Sequence, residues 1–272
     1  MARRMRRFIN FPCEGDMLAA TIDEGANDCG LLIVSGGNEI RSGAHMGMSR
    51  LAAKLAKSGT PVLRYDRRGI GDSEGVNNEY LASGSEIMAA TQFFRTQTPH
   101  LKRVVAFGNC DAAAALGLFG SNSRIDALVL ANPWTLDQEQ QDEDLPPPSA
   151  VRSRYLERLK NPRSLIDLVT GKIDIAKLFK GLLQASKSSK PSETSDALCK
   201  ALSETDKPIH ILIAKRDSTA MAFVSAYESR DYQPVRNNEN VSLHKIDSSS
   251  HSFADDEAQS WLIQKIETAL EA

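Results

Sequence analysis

The sequence lacks the features that would place a protein in a membrane, on a polyanion or around a metal. It has no apolar run long enough to span a bilayer. Its formal charge of −2 gives no general attraction to nucleic acid or anionic lipid. Cysteine is scarce: Cys13, Cys29, Cys110 and Cys199 are scattered, with neither CxxC spacing nor the density of a disulfide framework, which points to reduced thiols in a cytoplasm. Neither HxH nor HExxH occurs, so metal chemistry is set aside and no cofactor is expected. Phosphate-loop and dinucleotide patterns are also missing, because Gly69-Ile70-Gly71 lacks a third glycine and follows a charged loop rather than opening a helix. Four arginines within residues 1–7 imitate the start of a secretory leader. However, Phe8-Ile9-Asn10-Phe11-Pro12, with Glu14 and Asp16 beyond, supplies no apolar region for one, and the stretch reads as a solvated tail entering an edge strand.

What is present is 272 residues, 41% hydrophobic and 25% charged, enough to bury a sizeable core. Residues 8–11 and 17–22 alternate around Glu14-Gly15-Asp16, as an antiparallel hairpin does. Gly30-Leu31-Leu32-Ile33-Val34 is a continuous apolar run, the signature of a strand buried on both faces, and it ends in Ser35-Gly36-Gly37-Asn38. An amphipathic helix over 48–57, a strand over 61–65, a polar loop over 66–75 and a helix over 85–95 follow. Strands over 104–107, 125–130, 208–214 and 241–246 come next, with a last helix carrying Trp261, Leu262 and Ile266. This alternation predicts an α/β protein with a mostly parallel central sheet of about eight strands and helices on both faces.

Between residues 135 and 205 the alternation breaks. Residues 1–134 and 206–272 then form the core, and 135–205 a helical cap or lid. That insertion has an acidic run over 138–144, a stiff Pro146-Pro147-Pro148 linker, helical spacing over 151–183 with Tyr155, Leu156 and Leu159 on one face, and a polar stretch over 186–195. A lid, a subdomain and a partner-binding surface all fit its composition.

The chemistry centres on Cys110. It follows an apolar strand and is flanked by small residues, Gly108 two before and Ala112 two after, as a sharp strand-to-helix turn requires. A helix N-terminus favours a thiolate there. A buried cysteine in an ordinary core fits the local pattern equally well. Asp217 and His251 follow the next strands at the same C-terminal sheet edge, where open parallel sheets bind ligands. Cys110, Asp217 and His251 thus stand in the order nucleophile, acid, histidine. His251 would take the thiol proton and Asp217 would fix its tautomer. The backbone N–H groups of Asp111 and of Gly37 or Asn38 are the candidate oxyanion donors. Rival readings stay open: Asp217 as a helix N-cap beside Ser218 and Thr219, Asp137 or Asp247 as the acid, and His251 as one surface histidine among His45, His100, His210 and His244. His210 and His244 lie inside strands and are poorer candidates. Asp66, Asp72 and Glu74 read as turn closers. The Asp111 carboxylate opposes thiolate formation at its neighbour.

Residues 66–73, Asp66-Arg67-Arg68-Gly69-Ile70-Gly71-Asp72-Ser73, are similar to the D-x-R-G-x-G-x-S loop of α/β-hydrolases. Four stretches resemble more narrowly the α/β-hydrolases associated with exosortase A systems of exopolysaccharide-producing bacteria. They are residues 36–45, Cys110-Asp111-Ala112-Ala113, Asn132-Pro133-Trp134 and Tyr155-Leu156-Glu157-Arg158-Leu159. The resemblance implies the α/β-hydrolase fold and a Cys-Asp-Ala elbow in place of the usual serine. It also implies pocket roles for Arg41, His45 and Trp134, with packing against the sheet edge as the alternative for the first two. The expected activity is hydrolysis or transfer of an ester- or thioester-linked acyl group through an acyl-enzyme, on a small-molecule, lipid-linked or carrier-linked substrate. The alternative is a non-catalytic binding module on the same scaffold.

Overall fold

The structure is a computed structural model that describes residues 6–135 and 192–272. Eight strands form one sheet: β1 (Arg6–Cys13), β2 (Asp16–Asp23), β3 (Cys29–Val34), β4 (Val62–Tyr65), β5 (Arg103–Asn109), β6 (Ala127–Ala131), β7 (Ile209–Ala214) and β8 (Val241–Ile246). Their spatial order is β1-β2-β4-β3-β5-β6-β7-β8. The β1–β2 hairpin and the β2–β4 pairing are antiparallel, and every other pairing is parallel. The expected α/β fold with its mostly parallel sheet is therefore observed.

Alternation along the strands sends side chains into two cores. Leu32, Val34, Val104 and Ala106 face α2 (Gly84–Gln97) and α3 (Asp111–Phe119). Leu31, Ile33, Val105 and Phe107 face α1 (Gly47–Lys57) and the last helix, Asp256–Glu271. Parallel strands covered on both faces must read as unbroken apolar runs, and these do. The four alanines Ala112 to Ala115 open α3 without bulk, so the helix packs directly on the sheet behind the elbow.

Residues 193–204, grouped by sequence with the insertion, belong to this core in the structure. They form α4 (Glu193–Glu204), capped by Ser192, whose Oγ accepts the Ser195 N–H at 3.0 Å. Leu198 and Leu202, one helical turn apart, are fully buried in the same cluster as α3. Ser195 Oγ lies 3.1 Å from the Tyr232 hydroxyl, so the described end of the polar stretch, Ser192 to Ser195, supplies a cap and an internal hydrogen bond. The helix predicted over 151–183, the acidic run and the proline linker lie outside the described residues. Helices α5 (Ser218–Tyr227), α6 (Gln233–Arg236) and α7 (Asp256–Glu271) complete the chain. Among the described residues, no helix is long and apolar enough to cross a membrane.

Candidate active site

Cys110 sits between the end of β5 and the start of α3 with φ 62 and ψ −126, a region that costs a non-glycine residue on the order of 1–3 kcal/mol. The neighbours make that turn possible. A Cβ on Gly108 would lie 2.8 Å from the backbone carbon and oxygen of Ala112, and one on Gly36 would lie 2.6 Å from Asn109 O and Asp111 Oδ1. The Cys110 N–H donates to Ala131 O at 3.0 Å, and its carbonyl accepts from Ala113, Ala114 and Trp134. The strained residue is thus held from both sides.

His251 lies in the loop after β8. Its Nδ1 is 3.1 Å from Asp217 Oδ1. Its ring also hydrogen-bonds Cys110. These two bonds, Asp217 first and Cys110 second, outweigh burial and push the His251 pKa up to about 10. Near neutral pH the ring is therefore an imidazolium beside the Cys110 sulfur. The other three cysteines, Cys13, Cys29 and Cys199, have their thiol pKa values raised by burial. All four are free thiols.

Asp217 makes both kinds of contact that sequence left open. Its Oδ1 faces His251 while Oδ2 accepts the Ala220 N–H at 2.9 Å and caps α5. Asp247 is exposed and pairs with Arg216 at 3.0 Å, and Asp137 lies outside the described residues. His210 and His244 stack on each other within β7 and β8, their rings 5.9 Å apart.

The loop after β3 departs from expectation. The Gly37 N–H, one candidate oxyanion donor, is taken by Asp111 Oδ1 at 2.6 Å. The Gly37 carbonyl accepts from Arg67 Nη2, which also pairs with Asp111 Oδ2 at 3.3 Å. Arg67 and Asp111 thus hold Gly37 by its donor and its acceptor together. In a trans peptide the C=O and the following N–H point in opposite directions. With the Gly37 carbonyl aimed at the buried Arg67, the Asn38 N–H faces away from it. The Asp111 N–H, in the first turn of α3, has no helical carbonyl to bond. The Asp111 carboxylate, which sequence set against thiolate formation, has a guanidinium partner.

Arg41 is also corrected. Its guanidinium is committed to Asp66, to Asp72 at 3.0 Å and to Thr21 at 3.1 Å, so it ties the 66–72 loop to the sheet edge instead of facing a ligand. Asp66 closes its turn by accepting the Asp72 N–H, whereas the Glu74 carboxylate accepts the Met17 N–H and ties the loop to β2 instead of closing a turn. His45 is exposed on a turn leading into α1, with φ 50, outside the Cys110–His251–Asp217 hydrogen-bond set. Trp134 is half-buried against the α3 core, and its backbone N–H donates to the Cys110 carbonyl at 3.2 Å. Asn38 Oδ1 accepts from Asn77 at 3.0 Å.

Sequence reasoning missed Arg67, Asn109 and Asn132. Arg67 lies in the polar loop over 66–75, Asn109 just past the strand predicted over 104–107 and Asn132 just past the one predicted over 125–130, where polar residues commonly stop a strand. A cavity of about 470 Å³, lined by Arg95, Arg124, Asp126 and Lys207 among others, opens at the N-terminal ends of β6 and β7, the sheet edge opposite Cys110. Among the described residues, no group of three or more His, Cys, Asp or Glu side chains is placed to hold a metal ion.

No protein-family model and no curated protein matches this chain. Solved structures do. An esterase of Pyrococcus furiosus is 18% identical, with 98% of this chain and 91% of that one covered and a TM-score of 0.67. The fold is that of the α/β-hydrolases. A lipase in its open form is 15% identical, with 98% of this chain and all of that one covered and a TM-score of 0.62. A thioesterase domain from the curacin biosynthetic pathway is 13% identical, with 98% of this chain and 99% of that one covered and a TM-score of 0.58. At these identities the likeness concerns the α/β-hydrolase fold alone.

Proposed function

We propose that this protein is a cysteine-dependent α/β-hydrolase that cleaves or transfers ester- or thioester-linked acyl groups through an acyl-enzyme on Cys110. The observation that carries the reading is His251, which bridges the Asp217 carboxylate and the Cys110 sulfur from a loop 141 residues beyond the cysteine in sequence. The structurally similar esterase, lipase and thioesterase support an acyl substrate.

The Cys110 thiolate attacks the acyl carbon, and the carbonyl π electrons move to oxygen. The backbone N–H groups of Asn38 and Asp111 donate to that oxyanion. Collapse re-forms the carbonyl, breaks the bond to the leaving group and leaves the acyl group on sulfur. The proton held by His251 goes to the departing alkoxide or thiolate, and Asp217 keeps the ring oriented throughout. Water, or a hydroxyl or thiol acceptor, then attacks the acyl-enzyme while His251 removes its proton, and collapse returns the thiolate. A thioester suits the first half, because sulfur-to-sulfur acyl exchange is nearly balanced and thiolates attack soft acyl carbon readily. Where water is poorly placed, transfer to a sugar hydroxyl or to a lipid-linked intermediate dominates over hydrolysis.

The Cys110→Ala variant tests the reading. Loss of all turnover of short acyl esters and thioesters, with the melting temperature retained, is expected. Undiminished turnover removes Cys110 from the mechanism, whereas no turnover by the native protein on any ester or thioester leaves the scaffold as a binding module.

A further inference from the structure

The loops that carry Cys110, Asp217 and His251 converge on a side chain outside the chemistry. Asn132 follows β6, is fully buried and has φ 42. Its Nδ2 donates to the His251 carbonyl at 3.1 Å and to Asn109 Oδ1 at 3.4 Å. Its Oδ1 accepts the Ala214 N–H at 2.9 Å, and its own N–H donates to Leu212 O at 2.8 Å. Asn109, the residue before the cysteine, places a second donor on the same His251 carbonyl at 3.1 Å. The Ala214 carbonyl in turn accepts the Asp217 N–H at 3.0 Å.

Two demands single out asparagine here. The backbone is left-handed, which asparagine and aspartate tolerate better than other side chains. The position also needs a neutral donor and an acceptor in one plane, which aspartate, when ionised, does not supply. The His251 side chain is 42% exposed, so packing alone does not fix its ring. Orientation must come from bonds to the ring and from the anchorage of its backbone.

We propose that Asn132 is a positioning residue for His251: together with Asn109 it pins the His251 carbonyl to the end of β5 and so sets the approach of the imidazole to Cys110. The same amide holds the Ala214–Asp217 turn, so acid and histidine move as one frame with the elbow. The proposal rests on the reading of Cys110 as nucleophile. The charged and titratable groups facing this assembly are Asp217 on the acid loop and Cys110 and Asp111 at the elbow, with Arg67 paired to Asp111.

Asn132→Gly removes the amide while accepting the left-handed backbone. Expected are a fall in kcat on the order of 10- to 100-fold with short acyl thioesters, and little change in KM. Iodoacetamide alkylation of Cys110 at about pH 6, where ordinary thiols are protonated, should slow in parallel. In a His251→Ala background, the added Asn132→Gly change should have no further effect on that alkylation. Asn109→Ala, which removes the second donor from a half-buried site, should shift both rates in the same direction by less. Unchanged kcat and alkylation in Asn132→Gly overturn the proposal. So does a slowing of alkylation that is equally large with and without His251, since it would show a general loosening of the fold. Turnover that survives Cys110→Ala overturns the cysteine reading alone, and the alkylation comparison still decides on Asn132.

Discussion

Removing the Asp111 carboxylate should produce two opposite effects at neighbouring atoms. In Asp111→Ala the Gly37 N–H loses its acceptor at 2.6 Å and Arg67 loses its ion-pair partner at 3.3 Å. Arg67 is only 4% exposed, and its Nε and Nη1 have no hydrogen-bond partner among the described residues. Breaking a buried pair by deleting one member costs about 3–5 kcal/mol, and the partial exposure of Asp111 places this case near the lower end. A loss of about 3 kcal/mol corresponds to a drop of roughly 5 °C in melting temperature. Asp111→Asn keeps one oxygen for Gly37 but turns an amide toward Arg67, so its loss should be intermediate. Released from its clamp, the Gly37–Asn38 peptide no longer presents a fixed N–H, and turnover should fall about tenfold or more, short of the 10²–10³ seen when a donor is deleted outright. Iodoacetamide forms no oxyanion, and a negative charge beside the thiol has gone, so Cys110 alkylation at about pH 6 should hold or rise. The assay pairs steady-state turnover with alkylation kinetics, both well below the melting temperature. Undiminished turnover in Asp111→Ala would refute the clamp. A parallel fall of turnover and alkylation would refute its separation from the thiolate.

The His251 pKa, raised to about 10, gives a pH signature. A group raised in the folded state contributes stability that is complete below its unfolded value of about 6.5 and is lost as pH rises through the folded value. The stability gap between the native protein and His251→Ala, followed by urea denaturation, should therefore shrink from about pH 6.5 to pH 10. A constant gap would contradict the bonding to Asp217 and Cys110. His210 and His244 carry the reverse sign, because burial first, and Lys265 second, lowers both. Below about pH 6.5 the unfolded chain binds protons that these histidines resist, so stability should fall with pH, and His210→Phe should flatten that acid limb in urea melts. Gly108→Ala puts a Cβ 2.8 Å from the Ala112 backbone and should destabilise by about 1–3 kcal/mol in the same assay.

Much of the framework was readable from sequence, because strands buried on both faces carry unbroken apolar runs and the turns between them carry glycine. The order of Cys110, Asp217 and His251 was readable for the same reason: each follows a strand at one sheet edge. Contacts between loops were not. Arg41 looked free for a ligand because nothing local shows that Asp66, 25 residues on, takes its guanidinium. Gly37 looked like a donor because Asp111, 74 residues away, is visible only in three dimensions. Helix α4 was grouped with the insertion because its serine-rich entry masks a cap and the Leu198–Leu202 pair. Asn132 was hidden by its plausibility as a strand stop, since one residue type serves both a turn and a buried hydrogen-bond hub.

The most direct test of the acyl-enzyme is its capture. Brief incubation with a short acyl thioester, acid quench and peptide mapping by mass spectrometry should find one acyl group, on Cys110, which is absent from His251→Ala on the same timescale. Equal labelling of Cys13, Cys29, Cys110 and Cys199, or rapid turnover with no adduct on Cys110, would contradict a nucleophile activated by His251.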